Sequence, residues 1–340
     1  MKTKLAIAAL AALVVATVAA TASAKPERSH AITLKGAGST FVQPLVSTWQ
    51  SKYNGANIEY SGIGSGGGIN AITNRIVDFG ASDAPLTKDQ FAAAHGVVQI
   101  PWALSATSIP YNIPGSPNHL KLTGPIVAKM YLGKIKYWND KAIVKINKGV
   151  KLPHLKVTPV FRSDASGTSF NFTDYLSRVD SNFKSKVGTG TQPNFPVGVG
   201  APKSSGVAGV LSRTDGAIAY VDMAYSIKSH FNVASIQNKA GEFHGPGLAT
   251  IKAAASTITR IRPDNGISIV APSKANRHAY PICTFTWVIV AKKSGKASEL
   301  KKFIKWAATK GQAYGPKLDF VPIPTIVLTA DLKTLAKVHS

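Results

Sequence analysis

The chain has 340 residues, enough for two or three average domains with sizeable cores, and at 44% hydrophobic it is an ordinary globular chain, neither a disordered polymer nor a polytopic membrane protein. Forty Lys and Arg against 16 Asp and Glu give a formal charge of +24, so charged partners are expected to be anions. A single cysteine, Cys283, excludes an intramolecular disulfide framework and any multi-cysteine zinc or iron–sulfur centre.

Lys2 and Lys4 precede an alanine-rich apolar run from Leu5 to about Ala20, and Ala22-Ser23-Ala24 follows. This is the pattern of a secretory leader over residues 1–24 with an A-x-A cleavage site, its apolar run too short for the roughly 18 residues that spanning requires. Cleavage removes Lys2 and Lys4 and takes the charge from +24 to +22. No cysteine stands at the cleavage point to carry a lipid and no twin arginine precedes the run, so export to a soluble, periplasm-like compartment is expected.

Beyond the leader, short β-type runs alternate with helical patterns. Ile32–Lys35 reads as a strand, Phe41–Tyr53 as a helix with Leu45, Val46 and Trp49 on one face, and Asn57–Tyr60 as a strand. Gly68–Arg75 reads as a short helix and Ile76–Ala81 as a third strand. The alternation predicts an α/β domain with a mostly parallel sheet.

A second such unit is expected after Pro101. Thr107–Asn112 and Val157–Phe161 read as its strands and Gly124–Leu132 and Ser166–Arg178 as its helices. Gly188–Gly209 reads as a loop-rich excursion. Ile218–Tyr220 and Met223–Ser226 follow as a strand and a short helix. Thr284–Ala291 is a β-branched, aromatic strand and Ala297–Lys310 an amphipathic helix that returns the chain to the first unit. The expected division is a first lobe of residues 25–105 and 283–340 and a second of residues 106–282. The five tryptophans are expected in cores, with Trp102, near the crossover, also a candidate for lining a cleft.

Three turns share one design. GAGSTF (Gly36–Phe41), GIGSGGG (Gly62–Gly68) and RSDASGTSF (Arg162–Phe170) each follow a strand and place glycine and hydroxyl residues where a helix begins. The first N–H groups of a helix lack intrahelical partners and carry positive potential, which makes such a turn an anion site. Ser39, Thr40, Ser65, Ser166 and Thr168 can add hydroxyl donors; the plain alternative for any one turn is helix capping. Asp83, in DFGASDAP, and Arg162 with Asp164 lie beside these turns. An arginine can clamp two ligand oxygens while a neighbouring carboxylate holds its fork.

Other chemistries fit less well. Gly62–Gly67 satisfies G-x-G-x-x-G with Asp83 lying 21 residues beyond Gly62, yet an exported chain does not normally meet soluble nicotinamide cofactors. There is no phosphate loop of the G-x-x-x-x-G-K-[ST] type. The eight histidines are nowhere closer than 14 residues, so no metal site has a sequence signature. Gly80–Ala84 resembles a nucleophile elbow but ends in alanine, which argues against a serine hydrolase.

GAGSTF, YSGIGSGGG, DFGASDAPL, YLGKIKYWND and RSDASGTSFNFTDYL, followed by VGTG and GAIAYVDMAY, resemble the phosphate-binding component of high-affinity bacterial ABC phosphate transporters. The similarity runs in order from about Leu34 to Ala224, with a weaker match through TFTWVIV. The resemblance implies a two-lobed α/β fold of the type II periplasmic binding proteins, with the ligand in a cleft between lobes. It implies capture of inorganic phosphate for a membrane permease and ATPase, with no catalytic residues, no cofactor, no nucleic acid and a monomeric state; an exported phosphatase or other phosphate-ester enzyme is the alternative. By position, the phosphate contacts fall on Thr40, Phe41 (through its backbone N–H), Ser65, Asp83, Arg162, Ser166, Gly167 and Thr168, with Asp164 behind Arg162. Departures from the family pattern are Ser39 for a common alanine, Gly66 for a frequent second serine and Ala165 for the usual glycine. The positive charge is a further departure: nine lysines against one acid lie between Lys121 and Lys156, and without an aromatic–basic stripe they read as a solvated surface.

Overall fold

The computed structural model describes residues 32–340, so the leader expected over residues 1–24 lies outside the described residues. In chain order the strands are β1 (Thr33–Gly38), β2 (Asn57–Gly62), β3 (Phe79–Ser82), β4 (Val97–Ser108), β5 (Pro110–Tyr111), β6 (Lys121–Leu122), β7 (Thr158–Arg162), β8 (Val199–Ala201), β9 (Ala217–Ala219), β10 (Val221–Asp222), β11 (Asn232–Val233), β12 (Ser235–Gln237), β13 (Phe243–His244) and β14 (Cys283–Ala291). They build a six-stranded sheet in the order β10-β4-β14-β3-β1-β2, a five-stranded sheet β11-β5-β9-β7-β8, and a small sheet β13-β12-β6. Each large sheet carries its own helices, which gives a two-lobed α/β fold. Among the described residues no helix is long and apolar enough to cross a membrane.

Both large sheets are mixed rather than mostly parallel. In the first, β2, β1 and β3 are parallel, while β14, β4 and β10 add antiparallel. In the second, β8, β7 and β9 are parallel and β5 and β11 antiparallel. The reason is the course of the chain: β4 runs out of the first sheet toward the second lobe and β14 comes back beside it.

β4 and β14 are buried along their whole length, which is why both are near-continuous apolar runs. Pro101 belongs to the interior of β4 instead of preceding a new unit. The ladder with β14 shifts register there, Ala103 facing Thr286 and Pro101 facing Trp287, so Trp102 is the extra residue of a bulge that tolerates a proline without a ladder N–H. Trp102 is fully buried, packed at 5.2 Å from Trp49 and 5.9 Å from Phe79, and lines no cleft. The helix Ala297–Ala308 covers this cluster with Leu300, Phe303, Ile304 and Ala307, the spacing of one helical face. Each large side chain so buried contributes roughly 1.5–3 kcal/mol.

Two of the passages between the large sheets have almost no slack. β4 ends at Ser108 and β5 begins at Pro110; β9 ends at Ala219 and β10 begins at Val221. Only Ile109 and Tyr220 intervene, and both are fully buried. Ser108 Oγ donates to the Val221 carbonyl at 2.9 Å and lies 2.8 Å from Ser226 Oγ, while Tyr280 Oη donates to the Thr107 carbonyl at 2.9 Å.

Residues 188–209 are not an irregular excursion. They contain β8, which pairs with β7, and the start of the helix Lys203–Arg213. Glycines and prolines mask both elements, since β8 is three residues long and Pro202 immediately precedes the helix.

Candidate functional site

The three hydroxyl-rich turns meet between the two sheets. The first leaves β1 at Gly38 and enters the helix Gln43–Lys52; the second leaves β2 and starts the helix Ser65–Thr73; the third leaves β7 and starts the helix Gly167–Val179. Thr40, Phe41, Ser65, Asp83, Arg162, Ser166, Gly167 and Thr168 are all buried. The lobes touch here: Arg162 Nη1 donates to Thr40 Oγ1 at 3.2 Å, and the Gly66 N–H donates to the Ala165 carbonyl at 3.0 Å.

Two glycines permit this approach. Gly64 has φ of +87°, and a Cβ there would lie 2.5 Å from Asp164 Oδ2. A Cβ on Gly167 would lie 2.7 Å from the Asp83 backbone, so the N-terminus of the Gly167–Val179 helix rests directly against Asp83.

On the second-lobe side, Arg162 Nε donates to Asp164 Oδ1 at 2.7 Å and Nη2 to Oδ2 at 2.5 Å, a two-pronged pair that fixes the guanidinium plane. The Lys203 N–H adds a third hydrogen bond to Asp164 at 2.9 Å. Burial opposes ionisation of Asp164, but its bonds and proximity to Arg162 outweigh this and hold the carboxyl below its usual range. Ser166 caps its helix by accepting the Ser169 N–H at 3.3 Å, which leaves its own hydrogen free to donate. Thr168 Oγ1 is buried with no hydrogen-bond partner among the described residues.

On the first-lobe side, Asp83 is 1% exposed. Its Oδ1 accepts from Ser39 Oγ at 2.5 Å and Thr286 Oγ1 at 2.9 Å, while Oδ2 has only Ser65 Oγ at 3.4 Å. Burial pushes its pKa up to about 6 against the lowering effect of those hydroxyls and of Arg162. Ser65 Oγ also accepts the Asp83 N–H at 3.2 Å. The Phe41 N–H, which the resemblance gives to the phosphate, here donates at 3.0 Å to Ser39 Oγ.

Ser204 and Thr286, absent from the sequence-derived set, also belong to this arrangement, as does Ser39, expected as a hydroxyl donor to the anion but donating to Asp83. Ser204 lies under Thr40, with Ser204 Oγ 2.9 Å from Thr40 Oγ1 and the Ser204 N–H donating to it at 3.3 Å. Its signal was present in the sequence, because Ser204-Ser205-Gly206 repeats the small-hydroxyl helix start of the other turns. Thr286 and Ser39 act through Asp83. The β14 alternation carries Thr286 to the same side as Thr284, whose Oγ1 reaches the Asp83 carbonyl at 3.4 Å.

A separate cluster lies on the surface: Glu242, His244 and His278 bring three metal-capable groups together although their sequence spacing gives no sign of it. Its atoms already have partners. Arg277 Nε donates to Glu242 Oε1 at 2.7 Å, and His244 Nε2 lies 2.7 Å from the Arg277 carbonyl oxygen. The arrangement is an exposed ion-pair network.

Comparison with known proteins bears on the family and the fold. The PBP superfamily domain model matches residues 17–310. A curated relative from Xylella fastidiosa (strain 9a5c), named phosphate-binding protein PstS, is 37% identical over 305 residues, covering 88% of this chain and 83% of its own. One of the same name from Pasteurella multocida (strain Pm70) is 36% identical, covering 88% and 89%. Among solved structures, a phosphate-binding protein from Stenotrophomonas maltophilia superposes with a TM-score of 0.72 at 18% identity, over 89% of this chain and 94% of that one, a likeness of fold.

Proposed function

From the premise that the chain belongs to the PstS phosphate-binding family of the PBP superfamily, we propose that it captures inorganic phosphate between its lobes and delivers it to an ABC importer. The observation that carries this reading is the complementarity of the two cleft walls. One presents an anchored arginine, a helix N-terminus and the unpartnered Thr168 hydroxyl; the other presents Thr40, Ser65 and a carboxylate with one lightly engaged oxygen. A phosphate near neutral pH has both the oxygens to accept from the first set and a proton to give to the second. Sulfate lacks that proton and meets repulsion from Asp83.

In this reading Arg162 and the N–H groups around Gly167 neutralise the anion, while Thr40, Ser65, Ser166 and Thr168 donate hydroxyls. Asp164 holds the arginine in plane. We assign residues 32–105 with 283–340 to the first lobe and 106–282 to the second, save that β4 runs on to Ser108 in the first sheet and β10 pairs back on it there, with crossovers at Ile109 and Tyr220. The protein acts in the periplasm as a monomer after loss of residues 1–24, alongside the permease and ATPase subunits of the importer, and catalyses no reaction.

Calorimetric titration of the mature chain with phosphate, run beside turnover assays on phosphomonoesters, tests the proposal. One saturable site with Kd at or below about 1 μM, roughly −8 kcal/mol, is expected with no hydrolysis. Hydrolysis with weak phosphate binding would favour the phosphatase instead.

A further inference from the structure

We propose that Ser39 is a specificity-determining residue: its hydroxyl, held as an obligate donor to Asp83 Oδ1, keeps the cleft carboxylate charged and thereby extends the exclusion of proton-free oxyanions to lower pH. The inference rests on the phosphate reading of the site.

The argument begins with the hydrogen count of one hydroxyl. Ser39 Oγ is fully buried and accepts the Phe41 N–H at 3.0 Å and the Val42 N–H at 3.3 Å. A serine hydroxyl has two acceptor directions and one hydrogen. With both acceptor directions facing backbone donors, the hydrogen has one remaining partner, Asp83 Oδ1 at 2.5 Å. Thr286 Oγ1 sits on the same oxygen at 2.9 Å, so Oδ1 faces two hydroxyl donors and a ligand hydroxyl is left with Oδ2.

Protonation of Asp83 forfeits what these donors give to its charged form. The other charged or titratable groups around it work in known directions. Arg162 from β7 favours the carboxylate. Asp222 from β10 and Tyr60 from β2 both have their pKa raised, chiefly by burial and further by the charge of Asp83. Against the dominant desolvation of Asp83, the Ser39 hydrogen bond is the largest opposing contribution. Removing it therefore moves the ionisation of Asp83 upward, and a neutral Asp83 offers sulfate a donor where it previously met a negative charge.

The experiment is equilibrium binding of sulfate and of phosphate to the mature chain between about pH 4.5 and 8 at constant ionic strength, for wild type, Ser39→Ala and Ser39→Gly. Sulfate stays a dianion throughout this range, so the pH at which its binding sets in reports the protein. That onset should move up by about one pH unit in both variants, the size one hydrogen bond to a charged group supports. The carboxyl carbon resonance of Asp83, followed by NMR over the same range, should titrate with the same displacement, a readout that simple loosening of the turn does not produce. Phosphate binding by wild type with an unmoved sulfate onset and an unmoved Asp83 titration in the variants would overturn the role of Ser39 alone. Failure of wild type to bind phosphate at any pH would overturn the phosphate reading and this inference with it.

Discussion

Arg162 shows how one side chain carries both recognition and cost. It is 4% exposed and spends two of its donors on Asp164, so only its remaining edge is available to a ligand. Arg162→Ala leaves Asp164 charged beside the cleft with no counterion, and phosphate affinity is expected to fall at least about a hundredfold by calorimetry. Asp331 shows cost alone. Both of its carboxylate oxygens are buried without a partner among the described residues, and burial pushes its pKa up from 3.8 to about 9. The folded protein holds this proton across the range in which the unfolded chain has released it. Its contribution to stability is therefore present below pH 4 and is lost as pH rises through about 9. Thermal midpoints should fall as the pH is raised from 5 toward 9, with Asp83 adding to the fall between about 4 and 6. Asp331→Leu should flatten that slope and raise the midpoint at neutral pH; a slope equal to wild type would assign the pH dependence elsewhere.

At the scale of elements, the proposed capture needs lobes that open and close, and the crossovers and the Thr40–Ser204 contact are the features expected to set that balance. Closure can be driven only by contacts made better in the closed form, and Ser204 makes two hydrogen-bond contacts across the lobes to Thr40. Ser204→Ala should leave a saturable phosphate site but raise the fraction of open molecules, read as a larger radius of gyration by small-angle scattering at subsaturating phosphate. The three turns were legible because the residues that begin a helix after a strand are fixed by local chemistry: glycine where φ is positive, as at Gly38 and Gly64, or where backbone presses close, as at Gly167, and hydroxyls where N–H groups need partners. Pro101 misled for the converse reason. Whether a proline ends a strand or sits in its bulge depends on β14, more than 180 residues later in the chain. Ser204 escaped because its helix start followed a strand too short to leave a pattern, and Ser39, legible as a hydroxyl donor, gave no sign of its pairing with Asp83 because a capping serine looks the same whether or not a buried carboxylate waits beside it. The mixed sheets were likewise beyond reach, since strand direction is set by which distant segments pair.

Across the whole molecule the excess of positive charge is displayed, not buried. All nine lysines from Lys121 to Lys156 are exposed. A cationic molecule draws an anion toward it over distances that salt shortens, so the phosphate association rate should fall by roughly three- to tenfold as ionic strength rises from about 10 to 300 mM. Stopped-flow mixing measures this directly, and a salt-independent rate would remove the charge from the capture step. The order of strands in the first sheet carries a consequence for how the chain acquires its shape. β14 lies between β3 and β4, so the sheet that begins at Thr33 has no centre until residue 291 has arrived. Every strand of the second sheet lies between Pro110 and Val233. Contacts that close long loops form late, so the lobe in the middle of the sequence becomes native first. Early in refolding, amides of Thr158–Arg162 should resist exchange while Phe79–Ser82 still exchanges freely, and the anion cleft, which needs both walls, comes into being only with the final strand.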